Sequence, residues 1–264
     1  MSQPSLSFDH AADFYDATRA LPDHAIAGLT DALLHELHAV GAPRALEVGV
    51  GTGRIARPLA ARGIRVSGID IAPRMMHRLA EQLGPQHTPP DLILADGTAL
   101  PFASHSFPAV VISHILHLIP DWQRAVAEIL RVLSPGAVLL STYEENDGPS
   151  DWDPSAAKWT EMLDARAYIR PRTRANSESI NAALTAAGGA CEAATAAEWD
   201  ETSTPGQELD YARNRIHSWS WEIPDDIFLD CLPEFERWAL DTFGDLQRPL
   251  HRRAAQRLQT WRFA

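Results

Sequence analysis

Cysteine is scarce in this sequence of 264 residues, which contains only Cys191 and Cys231. Two thiols so far apart exclude a disulfide-stapled scaffold and a cysteine-based zinc site, and they suit a reducing compartment. Long apolar runs are also missing, because the most apolar stretch, AVVISHILHLIP, is too short and too rich in histidine to cross a bilayer. The polar, acidic N-terminus resembles neither a secretory signal nor a transit peptide. We therefore expect a cytoplasmic protein without a membrane segment.

Positive charge is also in short supply. The chain has 23 lysines and arginines against 35 aspartates and glutamates, which gives a formal net charge of −12. Such a balance excludes tight, sequence-independent binding to nucleic acid. With 45% hydrophobic residues, the chain can bury one full core and a smaller appended region.

What the chain does have, up to about residue 143, is a regular alternation of short apolar strands and amphipathic helices. This pattern is typical of βαβ units, which form a parallel sheet covered on both faces by helices. A helix over about 8–40 precedes the alternation, and Gly41 and Pro43 end it. The predicted elements that follow are a strand at 45–49, a helix near 53–62, a strand at 65–70, a helix near 73–83, strands LILAD and AVVISH, helix WQRAVAEILRVL and strand AVLLSTY.

The second half of the chain has a less regular sequence pattern. The segment SESINAALTAAGG predicts a helix with Ser177 as its cap, and ACEAATAAEWDE alternates loosely like a strand. The stretch EIPDDIFLDCLPEFERWALDTFGDL is amphipathic and fits either a lid or a homodimer contact. We therefore expect a helical N-terminal cover over 1–40, a core over 41–145, and late strands of the same sheet with a helical lid or substrate region over 146–264.

Three glycines follow the first predicted strand, in the segment LEVGVGTG. Ligands of an open α/β sheet bind at the carboxyl ends of its strands, so the loop of Gly49, Gly51 and Gly53 is the expected site. Glycine permits positive φ and a close approach of backbone to ligand, and the next helix offers its N-terminal amides. The sixth position of the dinucleotide fingerprint is Arg54 and not glycine, which counts against a nicotinamide or flavin enzyme.

Three acids stand at the ends of three consecutive predicted strands: Glu47, Asp70 and Asp96. Each acid alone is as well explained by a strand-end cap. As a set, next to the glycine loop, they indicate a site for a nucleoside, in which Asp70 meets the two hydroxyls of a ribose.

These motifs resemble those of the class I S-adenosylmethionine-dependent methyltransferases, in the small-molecule branch (methyltransferase type 11-like). The resemblance covers about residues 8–143 and rests on LEVGVGTG, GIDIAPRMM, ADGTALPFASHSFPAVVISHILHLIPD and ILRVLSPGAVLLST. It implies a Rossmann-like, doubly wound, mostly parallel seven-stranded sheet and S-adenosyl-L-methionine as cofactor. One departure is Pro108, where the family usually has aspartate. Proline is tolerated at the first position of a strand, far from the cofactor.

The resemblance also implies roles for single residues. Glu47 would face the methionine part of the cofactor, Asp70 would hold the ribose, and Asp96 would accept a hydrogen bond from the adenine amino group. Tyr15 and Arg19, four positions apart on one helix face, would fold over the cofactor, with Arg19 pairing with its carboxylate. The remaining cofactor contacts implied are Gly49, Gly51 and Gly53 beneath the methionine, Ile71 on the adenine face, the Gly97 amide, and Ser113 with His114 near the methionine amino group.

Methyl transfer from a sulfonium requires alignment, exclusion of water and sometimes removal of a proton. Histidine is the natural base near neutral pH, and His117 in SHILHLIPD is our preferred candidate. Packing or a backbone hydrogen bond is an equally ordinary role for His114 and His117. No metal is expected, because no cysteine or further acid clusters near this pair.

We therefore expect a methyltransferase that acts on a small-molecule acceptor, with oxygen, nitrogen or carbon as the accepting atom left open. The stretch SHIL lacks the Asn/Asp-Pro-Pro-Tyr/Phe signature of the enzymes that methylate nucleic-acid amines. Two other hypotheses about the function stay open. One is a non-catalytic protein that binds S-adenosylmethionine for regulation, and the other, less favoured, is a nicotinamide-dependent oxidoreductase.

Overall fold

The computed structural model describes residues 5–83, 89–169 and 175–263 of the chain. Within these residues it contains seven strands and nine α-helices. The strands are β1 (Arg44–Val48), β2 (Arg65–Asp70), β3 (Asp91–Leu94), β4 (Phe107–Ser113), β5 (Leu133–Asn146), β6 (Gly189–Ser203) and β7 (Leu250–Phe263). The helices are α1 (Tyr15–Arg19), α2 (Asp23–Ala39), α3 (Ala56–Ala61), α4 (Pro73–Glu81), α5 (Trp122–Val132), α6 (Asp153–Ala165), α7 (Ser177–Ala186), α8 (Pro205–Arg213) and α9 (Asp225–Phe243).

The seven strands form one sheet in the order β3-β2-β1-β4-β5-β7-β6. The pairs β1–β2, β1–β4, β2–β3 and β4–β5 are parallel, with Glu47 opposite Gly68 on one side and Val111 on the other. The order reverses between β1 and β4, which is the switch point where doubly wound sheets bind ligands. The predicted Rossmann-like, mostly parallel seven-stranded sheet is confirmed, and its late strands β6 and β7 come from the second half of the chain.

Both faces of the central strands are buried, as their near-continuous apolar sequences predict. Successive side chains of a strand point to opposite faces. Leu46 and Val48 accordingly belong to one apolar cluster with Ile129 of α5, whereas Ala45 belongs to a second cluster with Leu37 of α2. Helices therefore cover the sheet on both sides, and the ends of its strands are left to form a site.

The N-terminal helix predicted over about 8–40 is interrupted, so that part of the prediction was wrong. A 3-10 turn at Asp9–Ala11 and the short α1 precede α2. The break falls at Ala20, whose ψ of 132° is extended, shortly before Pro22. A proline disfavours helical backbone in the residue before it and lacks the amide that would continue the helix.

The cap of α7 also differs from the prediction, which named Ser177. Asn176 is the capping residue: its side chain accepts a hydrogen bond from the Ser179 N–H at 2.8 Å. The Ser179 hydroxyl in turn lies 3.1 Å from the Asn176 N–H, which completes a capping box.

The chain divides into two compact units. The first comprises Met1–Glu144, Thr173–Ala197 and Gln256–Ala264, and the second comprises Glu145–Arg172 and Glu198–Ala255. The second unit has an aromatic core of its own, in which the rings of Trp159 and Phe228 stack with centroids 5.3 Å apart. All candidate site residues named above lie in the first unit.

A glycine inside α2 gives a test of the packing in the first unit. A Cβ atom at Gly28 would lie 2.5 Å from the backbone oxygen of Ala196 in β6. In a helix interior, alanine normally makes the folded protein about 1 kcal/mol more stable than glycine does. At position 28, however, the added Cβ atom would overlap the backbone of Ala196 and force α2 and β6 apart. We expect Gly28→Ala to lower the free energy of unfolding by about 2 kcal/mol in urea denaturation.

The neighbouring Ala27, which is exposed on α2, provides the matched control. Ala27→Gly changes helix propensity alone and is expected to cost about 1 kcal/mol. A Gly28→Ala variant as stable as the unmodified protein would contradict the close packing of α2 on β6.

Candidate functional site

The loop after β1 has an unusual backbone. Gly49, Gly51 and Gly53 have φ angles of +80°, +52° and +83°, a region that side-chain-bearing residues rarely adopt. A Cβ atom at Gly49 would also lie 2.7 Å from Cδ1 of Ile115. The loop therefore presents bare backbone at the carboxyl end of β1 and leads directly into α3.

Asp70 ties this loop to the end of β2. Its Oδ2 accepts the Gly51 N–H at 2.8 Å, and its Oδ1 accepts the Ala72 N–H at 2.9 Å. Burial raises the pKa of Asp70, and hydrogen bonds from the backbone of Ala72, Gly51 and Ile71 act in the opposite direction. A carboxylate offers about four lone-pair positions, so it keeps acceptor capacity for a hydroxyl of a ligand beside these donors. Ile71 follows it, half-buried, at the head of α4.

Glu47 is 3% exposed, and its Oε2 has no hydrogen-bond partner among the described residues. Burial, followed by the charge of Asp70, raises its pKa well above the usual value, and a hydrogen bond from the Ala56 backbone and the charge of Arg54 partly offset this. A buried polar atom without a partner costs about 1–3 kcal/mol. The unpartnered Oε2 of Glu47 therefore fits a ligand that brings a hydrogen-bond donor or a cationic group to it.

The raised pKa of Glu47 makes the stability of the ligand-free protein depend on pH. A group whose pKa is higher in the folded chain stabilises the fold below its unfolded pKa, and this contribution is lost as the pH rises through the folded value. We expect Glu47→Gln to be more stable than the unmodified protein at about pH 9, by about 1–3 kcal/mol, with the difference closing towards about pH 5.

Urea unfolding of the ligand-free protein across this range measures the effect. Glu178, which is exposed in the first turn of α7, supplies the control Glu178→Gln, for which we expect little pH-dependent difference. A Glu47→Gln variant that is less stable than the unmodified protein at alkaline pH would show that the ionised carboxylate has a stabilising partner beyond the Ala56 amide.

Asp96 lies two residues beyond the end of β3, which stops at Leu94. Its Oδ1 accepts the backbone N–H and the hydroxyl of Thr98, both at 2.8 Å, and its Oδ2 lies 3.5 Å from the Ser5 hydroxyl. Asp96 thus caps the turn after the strand. Gly97 is buried, and a Cβ atom there would lie 3.3 Å from Val48. An adenine contact for Asp96 and Gly97 stays a prediction.

Tyr15 packs against the head of α4. Its ring meets that of Phe8 edge-on at 5.8 Å and joins an apolar cluster with Ala72 and Met75. The Arg54 guanidinium lies 6.0 Å from the centre of the Tyr15 ring. The N-terminal segment therefore reaches the residues that follow Asp70, as a cover over this rim requires.

A row of acids fixes the N-terminal segment in place. Asp13 accepts hydrogen bonds from Arg74 and Arg78 of α4, each at 2.6 Å, and these two cations lower the pKa of Asp13. Asp16 accepts a hydrogen bond at 2.6 Å from the hydroxyl of Thr52, which lies inside the glycine loop. The cover is thus anchored directly to the loop it overlies.

Ser113 ends β4, and His114 follows it. The Ser113 hydroxyl accepts a hydrogen bond from Thr142 at 3.0 Å. His114 has a φ of +49°, and its Nε2 accepts the Glu144 N–H at 2.9 Å. Desolvation lowers the pKa of His114 to about 4, and Arg54, His117 and Arg19 act in the same direction. Arg19 of the cover is therefore close enough to act electrostatically on the end of β4.

A cavity of about 200 Å³ opens where β4 and β5 end, within the first unit. Helix α7 and strand β7 complete its wall. His114 and His117 both line it, and His117 lies in a 3-10 turn at Leu116–Leu118. Further polar residues of the wall are Glu144, Asn181 and Gln259.

Sequence reasoning missed several of these residues. Arg54 was noted only as a departure from a glycine pattern, yet it acts on both Glu47 and His114. The spacing of Asp9, Asp13 and Asp16, at helical intervals, was a usable sign of one acidic face. Asn181 and Gln259 carried no such sign, because only the folded sheet brings α7 and β7 beside β4.

Comparison with known proteins agrees with this architecture. A family model described as a methyltransferase domain matches residues 46–141. Demethylmenaquinone methyltransferase of Renibacterium salmoninarum is 36% identical over 138 residues, which cover 50% of this chain and 55% of that protein. Phosphatidylethanolamine N-methyltransferase of Cereibacter sphaeroides is 33% identical over 110 residues, which cover 40% of this chain and 54% of that protein. The chain spans about half the length of the curated relatives it matches.

Solved structures share the fold across nearly the whole chain. The YcgJ protein of Bacillus subtilis superposes with a TM-score of 0.57 at 17% identity, covering 92% of this chain and 99% of that one. The cyclase SpnF superposes with a TM-score of 0.52 at 19% identity, and the match covers 99% of this chain and 98% of that one. The fold thus also occurs in a protein named for a different reaction, so the site and not the fold must carry the functional argument.

The strand order and the glycine loop after β1 define a Rossmann-like fold of the methyltransferase type. Residues 46–141 match the methyltransferase-domain family, and the fold agrees with that match. Among the described residues, none of the helices has the length and apolar character needed to cross a membrane.

Proposed function

We propose that the chain binds S-adenosylmethionine along the carboxyl ends of β1, β2 and β3 and transfers its methyl group to a small molecule. The observation that carries this proposal is the left-handed glycine loop, which is hydrogen-bonded to Asp70 and lies beside Glu47, whose buried Oε2 has no partner among the described residues. Bare backbone suits a bulky ligand, Asp70 keeps lone pairs for ribose hydroxyls, and Glu47 suits a cationic amino group.

In this proposal the rest of the predicted set surrounds the same ligand. Ile71 lies against the adenine, and Asp96 and Gly97 contact the adenine amino group. Ser113 and His114 lie beside the methionine part of the cofactor. Tyr15 and Arg19 close over the ligand. The contacts of Tyr15 with Ala72 and of Asp16 with Thr52 support this, because they hold the cover on the rim and the loop.

The cofactor, when bound, supplies an electrophilic methyl group, and the protein must align the second substrate and keep water away. The cavity beside β4 is the proposed place of that substrate. His117 lines it, and we propose that His117 Nδ1 or Nε2 takes the proton that the methyl acceptor loses. A volume of about 200 Å³ suits a small molecule or the reactive end of a larger one.

The relatives leave the accepting atom open. One is named for demethylmenaquinone and another for the nitrogen of phosphatidylethanolamine, and the chain matches only about half of each. We therefore propose a small-molecule methyl acceptor without naming the accepting atom. We further propose that the protein works in a reducing cytoplasm, because its two cysteines, Cys191 and Cys231, are unpaired.

Two measurements on the full chain test the proposal. Calorimetry with S-adenosylhomocysteine and with NADPH should show binding of the first alone, and preferential binding of NADPH would favour an oxidoreductase. Incubation with S-adenosylmethionine carrying a labelled methyl group and a metabolite extract should move the label into a small molecule. Binding without any transfer would favour a non-catalytic, regulatory role.

A further inference from the structure

The imidazole of His114 is held in one tautomer by the backbone. Its Nε2 accepts the Glu144 N–H at 2.9 Å. A backbone N–H can only donate, so Nε2 must carry the lone pair, and the single proton of the neutral ring sits on Nδ1. The neutral form itself is favoured by desolvation and by the nearby Arg54 and Arg19, which lower the pKa of His114 to about 4.

This arrangement gives the two histidines of the cavity different chemistry. The lone pair of His114 is already used, so His114 cannot remove a proton from a substrate. What it offers is one N–H donor at Nδ1, and no side chain or backbone group of the described residues is hydrogen-bonded to that atom. Because His114 lines the cavity, a molecule that enters there meets the Nδ1–H donor.

We propose that His114 is a specificity-determining residue of the cavity: its fixed Nδ1–H donates a hydrogen bond to an oxygen of the methyl acceptor, and it selects molecules with a carbonyl or an ionised hydroxyl there. This inference rests on the proposed function. The amides of Asn181 and Gln259 in the same wall can donate to further oxygens. The Nδ1–H group can only donate, so it favours a carbonyl or an ionised oxygen over an ammonium group, which has no lone pair to accept with.

The test uses the full chain labelled with ¹⁵N-histidine and three probes of similar shape. Acetophenone carries a carbonyl, α-methylstyrene has a methylene group in its place, and benzylamine carries a cation. NMR of the ring nitrogens should show Nδ1 protonated and Nε2 unprotonated in the ligand-free protein. Acetophenone should shift the Nδ1 signal of His114, and neither of the other two probes should do so.

Two variants separate the donor from the packing of the ring. Asparagine and glycine both tolerate the left-handed backbone of position 114, and asparagine keeps an N–H donor close to the place of Nδ1. We expect His114→Gly to weaken acetophenone binding by about 3- to 10-fold without changing α-methylstyrene binding. His114→Asn should retain most of the affinity for acetophenone. The histidine signals that are missing from the spectrum of this variant belong to His114, which assigns its resonances.

Three results would overturn the inference: a protonated Nε2, equal weakening of both uncharged probes in His114→Gly, or a larger Nδ1 shift with benzylamine than with acetophenone. The last would mean that Glu144 makes the cavity select cations. The outcome is separate from that of the proposed function, because no cofactor is used. If S-adenosylhomocysteine fails to bind while acetophenone shifts Nδ1, the methyltransferase role fails and the donor stands as a feature of the cavity.

Discussion

Asp70→Asn is expected to weaken the binding of S-adenosylhomocysteine by about 100-fold. Hydrogen bonds to a charged acceptor contribute about 1.5–3 kcal/mol each, and a ribose presents two hydroxyls to this carboxylate. A total loss of about 3 kcal/mol corresponds to roughly two factors of ten in the dissociation constant. Asparagine also places an amide N–H where the carboxylate now accepts the N–H of Gly51 or Ala72, so the glycine loop loses its fixed position as well.

Isothermal calorimetry on the full chain measures this loss. Asp91→Asn is the matched control, because Asp91 is an exposed acid at the amino end of β3, away from the carboxyl strand ends that carry the site, and we expect it to leave the affinity unchanged. Urea unfolding of both variants shows whether a loss of affinity comes from a loss of folding stability. An Asp70→Asn protein that is folded and binds within about threefold of the original would remove Asp70 from the ribose site.

Much of the fold could be predicted from the sequence because burial on both faces leaves a plain signature. The apolar runs around Ala45 and Val110 mark the central strands, and the amphipathic helices between them require a parallel sheet. The glycines and Asp70 could be placed for the same reason, since the ends of parallel strands meet at one edge. Local chemistry that competes with this pattern was harder to predict, as the break before Pro22 and the cap at Asn176 show.

The finer roles at the site depend on contacts between distant parts of the chain. The tautomer of His114 is set by an amide thirty residues away in sequence, and that contact exists only because β4 and β5 pair in register. The attachment of Asp16 to Thr52 likewise needs the N-terminal segment to be folded over the loop. A sequence shows which groups could interact, and long-range packing decides which pairs do.

The acidic row of the N-terminal segment has a consequence for how a ligand enters. Asp13 and Asp16 attach the cover through exposed ion pairs and through hydrogen bonds from the Thr52 hydroxyl and the Gln82 amide, interactions worth about 1 kcal/mol or less each. Its apolar contact, by contrast, consists of little more than Phe8, Ala12 and Tyr15 against the head of α4. A cover held in this way can open without unfolding the sheet, and such opening would give the proposed cofactor a path to the glycine loop.

His117→Gln is expected to lower the rate of methyl transfer by about 100-fold or more and to leave the affinity for S-adenosylhomocysteine nearly unchanged. A positioned base contributes about 10²–10⁴ to a rate, and glutamine keeps the size and polarity of histidine without its basic nitrogen. The reason to assign this role to His117 is that its neighbour in the cavity, His114, has its lone pair committed to the Glu144 N–H.

Single-turnover transfer of a labelled methyl group to the acceptor found in the metabolite extract measures the rate, and calorimetry measures the affinity. His77→Gln, an exposed histidine of α4 that is paired with Glu81, is the matched control and should transfer at the original rate. The pH profile separates a base from a residue that only positions the substrate. If His117 takes the proton, the fall in rate at acidic pH disappears in the glutamine variant, because no group is left there to be protonated. Equal losses in rate and affinity, with the acidic limb intact, would instead assign His117 to binding.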